Sequence, residues 1–269
     1  MIRKPAFAGP MRFYEGTADG LRAQIEQYVI ADAQQTRALG AVSPHAGYAY
    51  SGRVAGELWS QVQIPETVVI LAPNHRHIGE SFAIWPDGAW LTPLGESLID
   101  EDLTDAIVEA HPAVCKDSSA HLQEHSAEVQ LPFLQYFRPD VSIVSIIVAE
   151  RECARLERFG HALAGVIAET GRDILVLASS DMTHFETQAT ANKLDHMALE
   201  RVLALDEVGL WEVVRRHRIS MCGVAPTVAM LACVKRLGAA GARLVRYETS
   251  GDITGDTSEV VGYAGVMVN

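Results

Sequence analysis

Three continuous apolar runs constrain the fold of this chain more than any other feature. They are TVVILA at 67–72, VSIVSIIV at 141–148 and ILVLAS at 174–179, and none of them contains a charged residue. Strands without an exposed polar face are typical of a sheet that is covered on both sides, as parallel sheets are. The runs therefore predict an α/β protein with a buried, largely parallel or mixed central sheet flanked by helices on both faces.

The rest of the chain supplies the alternating elements that such a fold requires. Further strands are predicted at LGAVS (39–43), SFAIW (81–85), RLVRYET (243–249) and EVVGYAGVMV (259–268), and turns or a hairpin at 85–98. Helices are predicted at about 18–36, 51–61, 99–110, 127–137, 151–170, 187–204, 206–216 and 226–237. Because no linker, repeat or low-complexity tract interrupts this pattern, we expect one domain over residues 1–269.

Composition excludes several classes of partner. With 22 basic and 34 acidic residues the formal net charge is −12, so we expect no nucleic acid partner. No apolar run approaches the roughly 20 residues of a spanning helix, and the first ten residues lack the apolar segment of a signal peptide. We therefore expect no membrane partner and a cytoplasmic location. The four cysteines have no CxxC spacing and are expected to be free thiols.

Histidine-bearing loops follow three of the predicted strands. LGAVS leads into Pro44 and His45, TVVILA into Asn74 and His75, and ILVLAS into the stretch SDMTH that ends at His184. Ligands of open parallel α/β sheets bind beyond the carboxyl ends of the strands, where such loops converge. A single loop histidine is more often a surface residue, and we expect His77 to be one. Three histidines after three strands favour a shared site.

Two further stretches carry candidate ligands. In CGVAPTVAML, Pro226 suits the first turn of a helix, which places Cys222 just ahead of a helix N-terminus that favours a metal-binding thiolate. His121 to His125 spells the H-x-x-E-H pattern of zinc peptidases, which requires both histidines on one helix face. The helix is predicted to begin after the pattern, so only His125 stays a pocket candidate.

Eight blocks of sequence, in order along the chain, resemble one known family. They are RKPAFAG, SPHAGYAYSG, APNHRHIGE, TPLGE, EHSAEVQLPFLQ, ASSDMTHF, CGVAP and YETSGDITGD. On these blocks the chain is similar to the Memo family, whose bacterial members are named AmmeMemoRadiSam system protein B. The family fold looks like that of the class III extradiol dioxygenases, which are non-haem iron enzymes that open catechol rings. The family name also implies a radical-SAM protein and other members of that system as partners.

The resemblance implies a metal pocket and a role for each candidate residue. His45, His75 and Cys222 occupy the positions of the metal ligands, and Asp181 is a second-shell residue or an additional ligand. His184 and His125 correspond to catalytic histidines that handle protons or substrate. Tyr48 and Asn74 are further pocket candidates, although Tyr48 suits core packing equally well. Where the family usually has a Ser-Trp-Tyr-Pro type sequence, this chain has PMRFYEG at 10–16, so we expect part of one pocket wall to differ.

The ligand set leaves the metal and the activity open. A cysteine in place of the carboxylate of a 2-His-1-carboxylate site is a softer ligand, so we expect one Fe(II) or copper ion, with zinc as the alternative. We predict a mononuclear non-haem site for redox or oxygen chemistry on an unidentified small-molecule substrate. The first alternative function is a non-catalytic module that binds peptides or proteins in the pocket that holds the active site in the related enzymes. The second is a zinc-dependent hydrolase.

Overall fold

The structure is a computed structural model that describes residues 1–9 and 12–269. Its strands are β1 Ile2–Arg3, β2 Gly40–Ser43, β3 Thr67–Pro73, β4 Phe82–Ile84, β5 Ala89–Thr92, β6 Gly95–Leu98, β7 Val114–Lys116, β8 Ser142–Val148, β9 Ile174–Ser179, β10 His184–Glu186, β11 Ala242–Thr249 and β12 Val260–Val268. Its α-helices are α1 Ala18–Glu26, α2 Tyr48–Trp59, α3 Glu101–Ala110, α4 Ser119–Leu122, α5 Leu131–Phe137, α6 Cys153–Thr170, α7 Gln188–Leu203, α8 Glu207–His217, α9 Val224–Arg236 and α10 Ser250–Thr254. Pro10 and Met11, which begin the stretch expected to alter a pocket wall, lie outside the described residues.

The central sheet is mixed, with a parallel core. Its strand order is β10-β12-β2-β9-β3-β8-β4-β7, and β11 pairs with β12. The four middle strands β2, β9, β3 and β8 run parallel, whereas β12 and β4 join them antiparallel on either side. A small second sheet contains β1, β5 and β6, and the β5–β6 pair is the hairpin expected within 85–98.

The parallel core is buried on both faces, as the apolar runs predict. Val69 and Leu71 of β3 belong to one core cluster with Phe159 of α6, whereas Val68 and Ile70 belong to the other cluster. This division follows from the two-residue period of a strand, which sends neighbouring side chains to opposite faces. The predicted α/β fold with helices on both faces is confirmed. Within the described residues, no helix is both long and apolar enough to cross a lipid bilayer.

The first predicted helix is too long. The prediction covered residues 18–36, but α1 ends at Glu26. Asp32 has a left-handed φ of 57°, and Thr36 donates its N–H to the Gln61 carbonyl oxygen at 3.0 Å. The backbone after α1 is therefore used for a turn and for pairing with a distant loop, which local helical periodicity does not reveal.

A buried ion pair attaches the N-terminal segment to the body of the protein. The guanidinium of Arg3 contacts the carboxylate of Glu128, and the two side chains are only 2% and 1% exposed. Glu128 also accepts the backbone N–H of Phe7 at 2.8 Å and the Tyr14 hydroxyl at 2.7 Å. Its carboxylate is thus satisfied by donors from several points of the first 14 residues, and this arrangement fixes their path.

Glu128→Gln should lower the free energy of unfolding by about 3 kcal/mol, because it leaves the buried guanidinium of Arg3 without its counter-charge. The measurement is urea unfolding at neutral pH. Asp173→Asn is the matched control, since the Arg37–Asp173 pair is exposed (62% and 46%) and its loss should cost less than about 1 kcal/mol. Equal effects of the two substitutions would contradict the assignment of Glu128 as a buried anchor.

Candidate metal centre

Three imidazoles lie together beyond the carboxyl ends of the parallel strands. His45 follows β2, His75 follows β3, and His125 lies in the loop ahead of α5. One ring nitrogen from each histidine lies within 4.8 Å of the others. The centroid of the His45 ring is 5.2 Å from that of His75 and 5.3 Å from that of His125. The His75 and His125 rings stack with their centroids 4.8 Å apart. This cluster could hold a metal ion.

The hydrogen bonds around His45 assign its tautomer. Nδ1 lies 2.8 Å from the Ser179 hydroxyl oxygen, which donates its hydrogen to the Ser126 carbonyl oxygen at 2.7 Å. Because a hydroxyl has only one hydrogen, Nδ1 of His45 must be the donor to Ser179. Nε2 then has its lone pair free. Burial and the neighbouring His75 lower the pKa of His45 well below its ordinary value, so the ring is neutral.

A buried glutamate orients His75 in the same way. Nδ1 of His75 lies 2.9 Å from Oε1 of Glu124, and the backbone N–H of His75 donates to Oε2 at 2.7 Å. Since a carboxylate only accepts, Nδ1 carries the hydrogen and Nε2 of His75 is left with a free lone pair. Glu124 also accepts the backbone N–H and the hydroxyl of Ser126. Burial raises the pKa of Glu124, but the hydrogen bonds from the His75 ring and the Ser126 N–H outweigh it and lower that pKa to about 2.

Sequence reasoning missed this role of Glu124. It considered the residue only as part of the H-x-x-E-H pattern, in which the glutamate would act between two helical histidines. The structure places His121 away from the cluster, because α4 ends at Leu122 and the His121 ring packs against Trp85 and Trp90 with centroids at 5.6 and 5.7 Å. The signal that was available is the position of an acidic residue directly before His125.

Cys222 and Asp181 lie beside His45. The Cys222 sulfur is 3.3 Å from Nε2 of His45 and accepts the Asp181 backbone N–H at 3.2 Å. Oδ1 of Asp181 accepts the His45 backbone N–H at 2.8 Å, and Oδ2 is 4.0 Å from Nε2 of His45. Both side chains therefore lie near Nε2 of His45, and the Cys222 sulfur is the nearer.

The expected thiolate at Cys222 does not arise from the helix N-terminus alone. Cys222 precedes α9, as predicted, but burial and the nearby Asp181 carboxylate raise the pKa of the thiol well above its ordinary value. A bound cation reverses this balance, because a coordinating thiol loses its proton. The Cys222 sulfur lies beside Nε2 of His45, but the ligand atoms that lie within 4.8 Å of one another belong to His45, His75 and His125. Imidazoles with a neighbouring sulfur fit a transition metal ion of the soft or borderline kind.

His125 belongs to the cluster, whereas His184 lies outside it, in β10. Nδ1 of His184, in β10, is 2.8 Å from the Met182 carbonyl oxygen, so Nδ1 carries the hydrogen and Nε2 is free. The His125 ring stacks on Phe13 at 4.5 Å and is 5.7 Å from Phe7. Burial, followed by the proximity of the His45 ring, lowers the pKa of His125 to about 3. Phe13 belongs to the stretch at 10–16 that differs from the usual family sequence. Its contact with His125 lies where we expect part of one pocket wall to differ.

The two remaining pocket candidates, Tyr48 and Asn74, lie in different environments. Tyr48 is 1% exposed, its hydroxyl donates to the Val129 carbonyl oxygen at 2.7 Å, and its ring packs on Phe133 at 4.6 Å. It is a core residue, and its one polar atom is satisfied inside the protein. Asn74 does line a pocket that it shares with His75 and Cys222.

Comparison with known proteins agrees with the blocks of sequence and with the fold. A family model described as "Memo-like protein" matches residues 3–267. The chain belongs to the Memo family. A MEMO1 family protein of Methanopyrus kandleri is 42% identical over 281 residues, which cover 99% of each chain. A second, from Methanothermobacter thermautotrophicus, is 41% identical over 276 residues, which cover 98% of this chain and 99% of the relative.

A solved structure is similar in fold. The crystal structure of an uncharacterized Escherichia coli K12 protein has a TM-score of 0.57 and 13% sequence identity, and the match covers 86% of this chain and 100% of that chain. At this identity the likeness extends to the fold alone. The chain is therefore a member of the Memo family with an α/β fold. Its cluster of histidines is the feature that bears on function.

Glu124→Gln should reduce the stability of the protein in a pH-dependent way. The pKa of Glu124 is depressed from 4.5 to about 2, so its stabilising contribution is present above the unfolded value and is lost as the pH falls toward 2. The variant should be less stable than wild type by up to about 3 kcal/mol at neutral pH, and the difference should shrink on acidification. Urea unfolding at about pH 6 and about pH 3 measures it. A difference that is the same at both pH values would contradict the assignment.

Proposed function

We propose that this Memo protein binds one redox metal ion at His45, His75 and Cys222 and uses it for redox or oxygen chemistry on a small substrate. The observation that carries the proposal is the orientation of the two imidazoles. Ser179 and Glu124 each accept a hydrogen bond from an Nδ1–H, which leaves both Nε2 lone pairs free for a ligand. The Cys222 sulfur, 3.3 Å from one of these nitrogens, supports a third position.

The donor set favours Fe(II) or copper, with zinc as the alternative. Imidazole suits all three metals, and thiolate strengthens the preference for copper(I), zinc or iron over hard cations such as magnesium. A bound redox metal would supply electron transfer between substrate and an oxidant such as oxygen. Asp181 is an additional ligand or a second-shell residue in this proposal, since its Oδ1 is held by a backbone N–H and its Oδ2 is not.

Two histidines are proposed to handle protons beside the metal. The Met182 carbonyl oxygen holds Nδ1 of His184 as a donor, so Nε2 can accept a proton from a substrate hydroxyl. His125 is neutral in the buried cluster and can serve as such an acceptor, or as a third imidazole ligand in place of Cys222. The lowered pKa of His125 makes it a weak base in the buried cluster, and an anionic substrate beside it would raise that pKa.

Metal analysis of ligand variants tests the site. After anaerobic purification and loading with Fe(II), Cu or Zn, wild type should hold one ion per chain, and His45→Ala, His75→Ala and Cys222→Ser should each weaken binding at least about 10-fold. Inductively coupled plasma mass spectrometry measures the content. His161→Ala, on the exposed face of α6, is the matched control and should bind like wild type. Full metal retention in all three ligand variants would refute the proposal.

The same preparations separate the competing functions. If Cys222→Ser retains the metal and His125→Ala loses it, the third ligand is the His125 imidazole and not the Cys222 sulfur. Oxygen uptake with a panel of catechols supports oxygen chemistry, whereas zinc content with peptidase or amidase turnover and no oxygen uptake supports a hydrolase. Partner binding that survives removal of the metal by a chelator supports a non-catalytic binding module.

A further inference from the structure

A pocket of about 320 Å³ opens beside His75 and Cys222. Volumes of this size suit small-molecule ligands. Part of its wall is apolar and comes from Val148, Ala149 and Ala225, which lie at the end of β8 and the start of α9. The pocket therefore offers an apolar surface directly next to two of the proposed metal ligands.

Arg151 gives this pocket a guanidinium that is not part of an ion pair among the described residues. Arg151 lines the pocket and is exposed, and among residues 1–9 and 12–269 its guanidinium makes neither a hydrogen bond nor an ion pair. Glu150 lines the same pocket, but its carboxylate is already engaged, since Oε2 lies 2.7 Å from Nε of Arg155 and Oε1 accepts the backbone N–H of Arg151 and Glu152. In a chain with a net charge of −12, a free guanidinium at the pocket is a distinctive feature.

His77 is a second hydrogen-bond donor at this pocket. His77 lines the same pocket and has a left-handed φ of 55°, a conformation that is uncommon for residues other than glycine. Asn74 stabilises this turn, because its side-chain amide donates to the Ile78 carbonyl oxygen at 2.8 Å. The sequence assigned His77 to the surface. It is exposed, but the turn sets it at the pocket.

We propose that this pocket binds the carboxylate of a small organic acid, with Arg151 as the residue that selects it. The guanidinium fork matches the two oxygens of a carboxylate, and His77 can donate a further hydrogen bond. The body of the acid lies over Val148, Ala149 and Ala225, which orients its other end toward His75 and Cys222. The inference rests on the proposed function for the reaction, but the anion preference itself does not require a metal.

Paired neutral and anionic probes test the inference. Isothermal titration calorimetry compares benzoate with benzamide on the metal-free protein, and 3,4-dihydroxybenzoate with 3,4-dihydroxybenzamide on the Fe(II)-loaded protein without oxygen. In both pairs the acid should bind about 10-fold more tightly than the amide, in line with one charge-assisted hydrogen-bonded pair. Arg151→Gln should abolish this preference, and it should leave the affinity for the amides and the metal content unchanged.

Arg158→Gln, which removes the same charge from an exposed position of α6 outside the pocket, is the matched control and should retain the full preference. Equal binding of acid and amide, loss of the preference in both arginine variants, or no benzoate binding at millimolar concentration would overturn the inference. Tighter, Arg151-dependent binding of phenyl phosphate would overturn the carboxylate assignment in favour of a phosphate ester.

The two proposals fail in distinguishable ways. Metal binding without any preference for the acids would refute the carboxylate pocket and leave the proposed function standing. An Arg151-dependent preference for benzoate in a protein that binds no metal would support the carboxylate pocket and refute the metal chemistry.

Discussion

The parallel register of β2 and β9 is the constraint on which the site depends. Ser43 pairs with Ser179, so the two strands end side by side and the loops that follow them start at the same level. Two residues later, the His45 N–H reaches the Asp181 carboxylate at 2.8 Å. A shift of one residue would turn every side chain of β2 to the other face, and the histidine would no longer meet its partners.

A single loop before α5 joins the other parts of the molecule to this edge. Glu124 holds His75, and Glu128 holds the N-terminal segment through Arg3. Gln130 donates to the Pro44 carbonyl oxygen at 2.9 Å and to the Ser179 hydroxyl at 2.9 Å. Because buried polar groups are costly unless they are paired, this network of satisfied partners confines the loop to one arrangement. The imidazoles are therefore held in orientation before any ligand binds.

Local sequence patterns were sufficient to predict those elements whose hydrophobic pattern lies within one segment. The run at 174–179 became β9 at the same residues, and the run at 67–72 became β3 with one more residue, because continuous apolar strands need no partner to be recognised. The helix predicted at 18–36 failed beyond Glu26, where pairing with a distant loop replaced the local preference. The burial of Tyr48 likewise depends on a remote contact, since its acceptor, the Val129 carbonyl oxygen, is 81 residues away along the chain.

The sequence by itself determined the family, the α/β class and the residues that follow the strands, since these depend on composition, order and short-range periodicity. Only the tertiary structure decided which nitrogen of each histidine is free, because the acceptors Ser179 and Glu124 come from remote segments. It also decided that His125 joins the cluster while His121 does not, and that the Arg151 guanidinium lines the pocket without an ion pair among the described residues. Hydrogen-bond direction and charge compensation depend on which groups are neighbours in space. The order of residues along the chain does not specify those neighbours.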